Sequence, residues 1–262
     1  MIVRIRSIEL HMRNLFPIII IILLITGCGR KGALVPPEAL LSAPVNDLRV
    51  TQKGESFQVS WSIPERDEGG RSIKNLAFFR LFKREVLPPE EDCEACLNAY
   101  QVMDDVDLTY LRNARRSGEQ LFISDAEVVA GKTYQYKVVS YMKDGAPSLD
   151  SNKTRLTKIV PLPAPRLKAV STPTSVLLHW EESALPAHGK TAGYNIYRWR
   201  ADGLPGILPL NDVPLTGTDY EDLRLERGVT YIYTVRNVVE SNGATLESVP
   251  SNEARGTLAE PD

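Results

Sequence analysis

The sequence predicts an all-β protein built from two β-sandwiches in tandem, and three observations lead to this prediction. Apolar and aromatic residues alternate with polar ones over short runs, which is the period of a half-buried strand. Glycine, proline, asparagine and aspartate separate these runs, and no long helical period interrupts them. The same landmarks return after about ninety-seven residues, which indicates a duplicated unit.

The composition fits a folded protein and excludes several functional classes. The 262 residues include 31 basic and 33 acidic side chains, so no general positive charge is available to neutralise nucleic-acid phosphates. Only 3 histidines and 3 cysteines are present, which argues against most zinc and haem sites and against a disulfide-dense scaffold. We therefore expect no cofactor, no metal ion and no nucleic-acid partner.

Residues 1–27 have the pattern of a lipoprotein signal peptide. Arginines precede an apolar run at 15–25, whose 11 residues are far fewer than the roughly 20 that a membrane-spanning helix needs. The run ends in LITGC, which resembles the bacterial lipobox, where small residues precede a cysteine that is acylated and becomes the mature N-terminus. The resemblance implies a lipid anchor, palmitate among its acyl chains, on Cys28. An ordinary secretory signal that ends near a cysteine is the alternative.

Residues 28–44 are expected to form a flexible tether between the lipid and the first sandwich. Three prolines keep this segment extended, and its 16 residues after Cys28 reach at most ~55 Å. Gly29 follows the cysteine where inner-membrane lipoproteins carry aspartate, so the resemblance implies the periplasmic face of the outer membrane. The CGRKG of 28–32 is also similar to the start of very small outer-membrane lipoproteins associated with assembly of the lipopolysaccharide transport machine.

Four landmarks recur in the same order in the two halves of the remaining chain. The longest reads DAEVVAGKTYQYKV at 125–138 and DLRLERGVTYIYTV at 222–235. In the second, Phe57, Val59 and Trp61 occupy alternate positions as Val176, Leu178 and Trp180 do. The others are FRLFK at 79–83, which corresponds to YNIYR at 194–198, and Ser151-Asn152, which corresponds to Ser251-Asn252.

These residues resemble fibronectin type III domains, which have the immunoglobulin-like sandwich fold. The resemblance covers a first domain at 45–161, with an insertion at 86–120, and a second domain at 163–258. Trp61 and Trp180 match the core tryptophan of that family. Tyr134 and Tyr231 match its tyrosine corner, in which the phenol bonds to nearby backbone. The resemblance implies that these four residues are structural core.

Turns and the linker have their own signals. Asn242-Gly243 is the strongest two-residue hairpin signal, and Asp144-Gly145 is expected to play the same part in the first copy. The linker at 160–165 reads VPLPAP, whose prolines favour stiff polyproline II. We therefore expect the two sandwiches to have a preferred relative orientation.

The insertion at 86–120 carries Cys93 and Cys96. A Cys-x-x-Cys pair can be a redox dithiol, half a zinc site or a disulfide. Acidic neighbours disfavour the thiolate that redox catalysis needs, and once Cys28 is acylated these are the remaining cysteines. We therefore expect a structural disulfide.

Charged residues follow the two cysteines in the same insertion. Three close aspartates could bind calcium, but the EF-hand spacing is absent. We expect a solvated acidic loop at Asp104, Asp105 and Asp107, and a short basic helical turn that carries Arg112, Arg115 and Arg116 and could meet an anionic lipid or a sugar phosphate.

The sequence predicts a non-catalytic binding or scaffolding module. It contains no Gly-x-Ser-x-Gly, no phosphate-cradling glycine loop and no His-Glu-x-x-His. We expect an envelope protein or a polysaccharide as partner, with contacts through the loops 64–72, 86–120 and 142–148. The alternatives are an accessory factor in outer-membrane or lipopolysaccharide-transport assembly, and a carbohydrate-binding module, although no row of exposed aromatic residues is identifiable.

Overall fold

The computed structural model describes residues 41–182, 189–241 and 243–260. Within these ranges the chain contains fifteen β-strands and no helix, which confirms the all-β prediction. In chain order the strands are β1 (Arg49–Lys53), β2 (Ser56–Ser62), β3 (Leu76–Val86), β4 (Gln101–Asp107), β5 (Ala114–Ser117), β6 (Gln120–Asp125), β7 (Thr133–Met142), β8 (Thr154–Thr157), β9 (Leu167–Ser171), β10 (Val176–Trp180), β11 (Lys190–Arg200), β12 (Asp219–Asp222), β13 (Tyr231–Ser241), β14 (Ala244–Glu247) and β15 (Ala254–Gly256).

The first sandwich packs the strand series β1-β2-β6-β5 against the sheet β4-β3-β7-β8. Inward residues of both sheets form one hydrophobic cluster, because successive side chains of a strand point to opposite faces. Trp61 of β2 lies at its centre with 1% exposure, and its ring meets Phe79 of β3 edge to face at 5.7 Å.

The second sandwich packs the sheet β9-β10-β12 against β11, β13 and β15. Its separate hydrophobic cluster is centred on Trp180, also 1% exposed, whose ring lies 5.5 Å from that of Tyr194. The order of strands in both units is that of the immunoglobulin-like sandwich.

The two corner tyrosines are buried at corresponding places. The hydroxyl of Tyr134 accepts a hydrogen bond from the backbone amide of Val129 at 3.2 Å. The hydroxyl of Tyr231 accepts one from the amide of Glu226 at 3.4 Å. In each copy the phenol therefore ties the start of the strand to the backbone five residues earlier.

Each sandwich also holds a buried aspartate that accepts from a tyrosine and a cation. In the first, the carboxylate of Asp125 accepts from the hydroxyl of Tyr136 at 2.7 Å and lies 2.6 Å from the ammonium of Lys83. In the second, the carboxylate of Asp222 accepts from Tyr233 at 2.9 Å and from Arg198 at 2.7 Å. Burial raises the pKa of both tyrosines.

The repeated Ser-Asn pairs close each sandwich in the same way. Ser151 Oγ accepts from the Val138 amide at 2.9 Å, and Asn152 exchanges two hydrogen bonds with the backbone of Leu48 at 2.9 Å each. Ser251 and Asn252 repeat these bonds with Val235 and Leu167 in the second sandwich. These landmarks therefore fasten the last strand to the first.

The first hairpin turn differs from its prediction. The Met142 amide donates to the Ala146 carbonyl, so the loop has three residues, 143–145, rather than a two-residue turn at Asp144-Gly145. Gly145 has φ of +89°, the left-handed conformation that closes such a loop. In the second hairpin Ser241 pairs with Ala244, while Asn242 lies outside the described residues.

Candidate functional site

A parallel strand pair joins the two sandwiches edge to edge. β14 of the second sandwich lies beside β1 of the first, with Gln52 opposite Leu246 and Lys53 opposite Glu247. The side chain of Leu246 is 3% exposed and belongs to the hydrophobic cluster of the first sandwich. One sheet therefore runs through both units in the order β11-β13-β14-β1-β2-β6-β5.

Glu247 is the centre of a buried polar cluster at this joint. Its carboxylate accepts hydrogen bonds from the hydroxyl of Tyr197 and the amide of Asn195, both at 2.7 Å. Lys53, from the first sandwich, donates to the Tyr197 hydroxyl at 2.7 Å and lies 3.8 Å from the carboxylate. Arg236 approaches the carboxylate at 3.7 Å. Burial lowers the pKa of Lys53 and raises that of Tyr197.

A second group of polar contacts fixes the turn between β1 and β2. Gln52, 1% exposed, donates to the carbonyls of Gly54 and Ile159 at 3.0 and 2.9 Å, and accepts from the Ile159 amide at 3.0 Å. Lys158 donates to the Gly54 carbonyl at 3.1 Å, and the Gly54 amide donates to the Glu247 carbonyl at 2.9 Å. This turn is thus held by the residues that follow β8 and by the second sandwich together.

A cleft of about 550 Å³ opens beside the joint. Its lining comes from β2, β5 and β6 of the first sandwich and from β11, β13 and the segment 205–207 of the second. β5 and β11 are the two ends of the continuous strand series, so the sheet curls around the cleft. A volume of this size is typical of small-ligand sites.

Arg115 and Trp199 line the cleft, and their side chains lack the partners that a charged group and an aromatic ring usually have, among the described residues. Arg115 lies on β5 opposite Phe122 and is partly buried, and its guanidinium makes no hydrogen bond or ion pair with any described residue. Burial lowers its pKa. Trp199 lies on β11, and its half-buried indole has no aromatic or hydrogen-bonding partner in the described ranges. The cleft therefore offers an unpaired cation and an unstacked ring.

The prediction of an acidic loop followed by a basic helical turn is wrong. The aspartates 104, 105 and 107 lie on β4, and Arg115 and Arg116 lie on β5, so neither an acidic loop nor a basic helical turn is present there. Strand pairing explains the difference, since β4 pairs with β3 and β5 with β6. On a strand, Arg115 and Arg116 point to opposite faces, and Arg116 instead binds Glu119 at 2.8 Å.

The three aspartates of β4 all have protein partners. Asp105 receives two hydrogen bonds of 2.7 Å from the guanidinium of Arg80, and Asp104 accepts from Asn113 at 2.9 Å. Thr109 donates twice to Asp107, which lowers the pKa of that carboxyl. Among the described residues, no group of three or more histidine, cysteine or acidic side chains is arranged to hold a metal ion.

The structure joins Cys93 and Cys96 in a disulfide with an S–S distance of 2.00 Å. Both cysteines are exposed, in a stretch of turns between β3 and β4. Leu97, beside the disulfide, is 98% exposed. The cross-link therefore shapes a surface segment, 88–100, rather than the core.

Ion pairs hold this disulfide segment against the rest of the first sandwich. Arg84 donates to both oxygens of Asp92, at 2.6 and 3.1 Å, and Lys153 binds Glu94. The hydrogen bond from Arg84 lowers the pKa of Asp92, and the bond from Lys153 lowers that of Glu94. Burial, with Glu94 nearby, raises the pKa of Tyr100 to about 12. Both acidic residues of the segment thus bind cations of the first sandwich.

The tether and its cysteine lie mostly outside the described residues. Cys28 and the tether as far as residue 40 are not described, and in the described part of the chain no helix is long and apolar enough to cross a membrane. The end of the tether pairs with the predicted contact loop 64–72, since the Glu68 amide donates to the Leu41 carbonyl at 2.9 Å and the Ala43 amide to the Arg66 carbonyl at 3.2 Å.

The strand topology defines a protein with a fibronectin type III-like fold. No family model and no curated protein sequence matches this chain. Among solved structures, the chicken CNTN1 FN1–FN3 domains match over 84% of this chain and 69% of their own, at 14% identity and a TM-score of 0.31. The twitchin kinase region from C. elegans matches over 45% of this chain and 17% of its own, at 16% identity and a TM-score of 0.32.

Proposed function

We propose that this protein is a non-catalytic binding module whose ligand lies in the cleft between the two sandwiches. The observation that carries the proposal is the construction of the joint, where Leu246 of one unit fills the core of the other and Glu247 binds Lys53 across it. Both sides of the cleft are therefore held in place before a ligand arrives. Preorganisation of this kind reduces the entropy lost on binding.

The proposed location is the periplasmic face of a bacterial outer membrane, with the module anchored through acylated Cys28. Its support is the LITGC pattern and the short apolar run before it. Two or more acyl chains, at ~0.8 kcal/mol for each buried methylene, hold a protein stably on a bilayer. Metabolic labelling with a palmitate analogue should mark the protein and should fail with Cys28→Ala. Retention of label by that variant would contradict the anchor.

The ligand site is tested by photo-crosslinking in cells. A photoreactive residue at Ser124, which is exposed and lines the cleft, should capture a partner. The same residue at Val170, 60% exposed on the outer face of the second sandwich and outside the cleft lining, serves as the matched control. Capture at Val170 but not at Ser124 would overturn the cleft as the binding site.

A second candidate function is an accessory role in outer-membrane or lipopolysaccharide-transport assembly. The observation that favours it is the likeness of CGRKG at 28–32 to the start of small assembly lipoproteins. Fusion of residues 1–44 to an inert carrier separates the two candidates. If the fusion alone restores the function of a deleted gene, the tether acts and the sandwiches are dispensable; if it does not, the binding module is favoured.

A further inference from the structure

We infer that the cleft binds an acidic sugar, meaning a hydroxyl-rich ring that carries a carboxylate or a phosphate. This inference rests on the proposed function and names the ligand class of the same site. It depends on three properties of the lining: an unpaired guanidinium, a row of free hydroxyl and amide groups, and an unstacked indole.

The guanidinium of Arg115 requires an anion. A partly buried charge that lacks a partner loses hydration without compensation, and the guanidinium of Arg115 has neither a hydrogen bond nor an ion pair with the described residues. Its planar fork matches the two oxygens of a carboxylate or phosphate. The other cations of the lining are already committed, since Lys53 donates to Tyr197 and Arg236 to the Ser248 carbonyl at 2.7 Å. Arg115 is therefore the group that fixes the acidic end of a ligand.

Free polar groups lie on the same wall as Arg115. Gln58 of β2 and Ser124 of β6 stand opposite each other in register, and Ser56 lies two residues before Gln58 on the same face. The side chains of these three residues form no hydrogen bond within the described ranges. A ligand with several hydroxyl groups satisfies such donors and acceptors, whereas a simple apolar anion leaves them unpaired.

Trp199 supplies the apolar complement on the second sandwich. Its indole borders the same cavity as Arg115 and Phe122 and has no described partner. A sugar ring presents C–H groups on its face as well as hydroxyls at its edge, so one aromatic plane and several polar groups suit it together. One carboxylate, that of Glu253, also lines the cleft and repels an anion. Removal of this negative charge should therefore increase the affinity for an acidic ligand, whereas loss of the Arg115 charge should decrease it.

The test is calorimetric titration of the full-length acylated protein in detergent micelles. The probes are trigalacturonate, which carries carboxylates, glucose 1-phosphate, which carries a phosphate, and neutral maltotriose. We expect at least one acidic probe to bind and maltotriose to bind far more weakly. The acidic probe that binds identifies the source of the charge, and either one supports the inference.

Variants with matched controls identify the residues responsible. Arg115→Gln should weaken the acidic probe by about tenfold or more, because a charge-assisted bidentate bond is lost, and Trp199→Ala should also weaken it. The controls are Arg112→Gln and Tyr110→Ala, exposed residues outside the cleft lining, which should bind as the unaltered protein does. Glu253→Gln should strengthen binding. Thermal denaturation of each variant verifies that it is folded.

Three results would overturn the inference. Equal binding of maltotriose and the acidic probes, or unchanged affinity in Arg115→Gln, would remove the role of charge. Absence of binding by all three probes would remove the sugar as ligand. In that case crosslinking from Ser124 still decides the proposed function, because capture of a protein there would keep the cleft as a binding site with a different occupant.

Discussion

The two sandwiches are alike inside and differ where they touch. Both bury a tryptophan, a corner tyrosine and an aspartate that binds a tyrosine and a cation. Their last hairpins differ in length. In the first sandwich the strand after the turn is a single bridge between Tyr141 and Pro147, whereas in the second β14 continues from Ala244 to Glu247. A few added residues of strand thus convert a repeated unit into a connected pair.

The hydrogen bonds that stabilise each sandwich internally are therefore repeated in both copies. The contacts that join the two sandwiches are not repeated. Asp125 and Asp222, like Ser151 and Ser251, have partners at corresponding positions in the two copies. Glu247 forms a salt bridge to the first sandwich through Lys53 and accepts a hydrogen bond from Tyr197 of its own. The ion pair of this joint therefore uses Lys53 and Glu247, which lie outside the repeated landmarks.

The largest expected effect tests the likeness of the two cores. Trp61→Ala and Trp180→Ala should each reduce the free energy of unfolding by about 3–5 kcal/mol, because each leaves a large cavity among buried side chains. Urea denaturation followed by circular dichroism measures both losses. Trp199→Ala is the control, since this half-buried side chain should cost much less. A strong asymmetry between the two core variants would break the comparison.

The next effect concerns the joint itself. Glu247→Ala should reduce the free energy of unfolding by about 2–3 kcal/mol, because it leaves Lys53 and Asn195 without their buried partner. Unfolding should also separate into two transitions as the units lose their coupling. Calorimetry of the variant and of the exposed control Glu253→Ala detects this. A single, unshifted transition in Glu247→Ala would show that the cluster does not couple the units.

A matched pair of glycines isolates the contact across the joint. Gly54 and Gly118 have φ of +60° and +57°, so alanine costs about 1–2 kcal/mol of backbone strain at either position. A Cβ at Gly54 would also lie 3.1 Å from Val249 of the second sandwich, while at Gly118 it meets open space. Gly54→Ala should therefore be the more destabilising in thermal denaturation. Equal losses of thermal stability in the two variants would mean that Val249 moves away from the added Cβ at no cost.

The smallest effect involves the disulfide segment 88–100, which only the first sandwich has. Because the pKa values of Asp92 and Glu94 are lowered, their contacts are complete above the ordinary carboxyl pKa and are lost as the pH falls through the lowered values. The Leu87 amide, which donates to Asp92 at 3.2 Å, reports this in an NMR titration. Arg84→Gln should raise the midpoint for Asp92. An unchanged midpoint would contradict the docking contact.

Much of the fold is predictable because its signals are local. Alternation predicts the strands, and the resemblance to fibronectin type III domains implies that Trp61, Trp180, Tyr134 and Tyr231 are core residues; the structure buries all four. The repeat also identified Asp125 and Asp222 as landmarks but gave no reason for them. Their hydrogen bonds to Tyr136 and Tyr233, each eleven residues further along the chain, form only when the strands that carry them face each other in the folded sandwich.

The candidate site is less predictable because it depends on contacts between distant strands. No local pattern indicates that β14 pairs with β1, almost two hundred residues away in the sequence. The spacing of Arg112, Arg115 and Arg116 is compatible with a helical turn, and only pairing with β6 makes Arg115 a cleft residue. A signal that could have found the site is Trp199, the remaining tryptophan, which directly follows the repeated landmark YNIYR at 194–198.

The pairing of β14 with β1 has a consequence for the separated halves of the chain. In the intact protein each strand covers the open backbone edge of the other, and unpaired edges attract further strands. A fragment that contains only the first sandwich would expose the edge of β1 and the part of its core that Leu246 covers in the intact protein. The complementary fragment would expose the edge of β14. Expressed alone, each half is expected to self-associate, and mixing the two should dissolve the aggregates by restoring the natural neighbour.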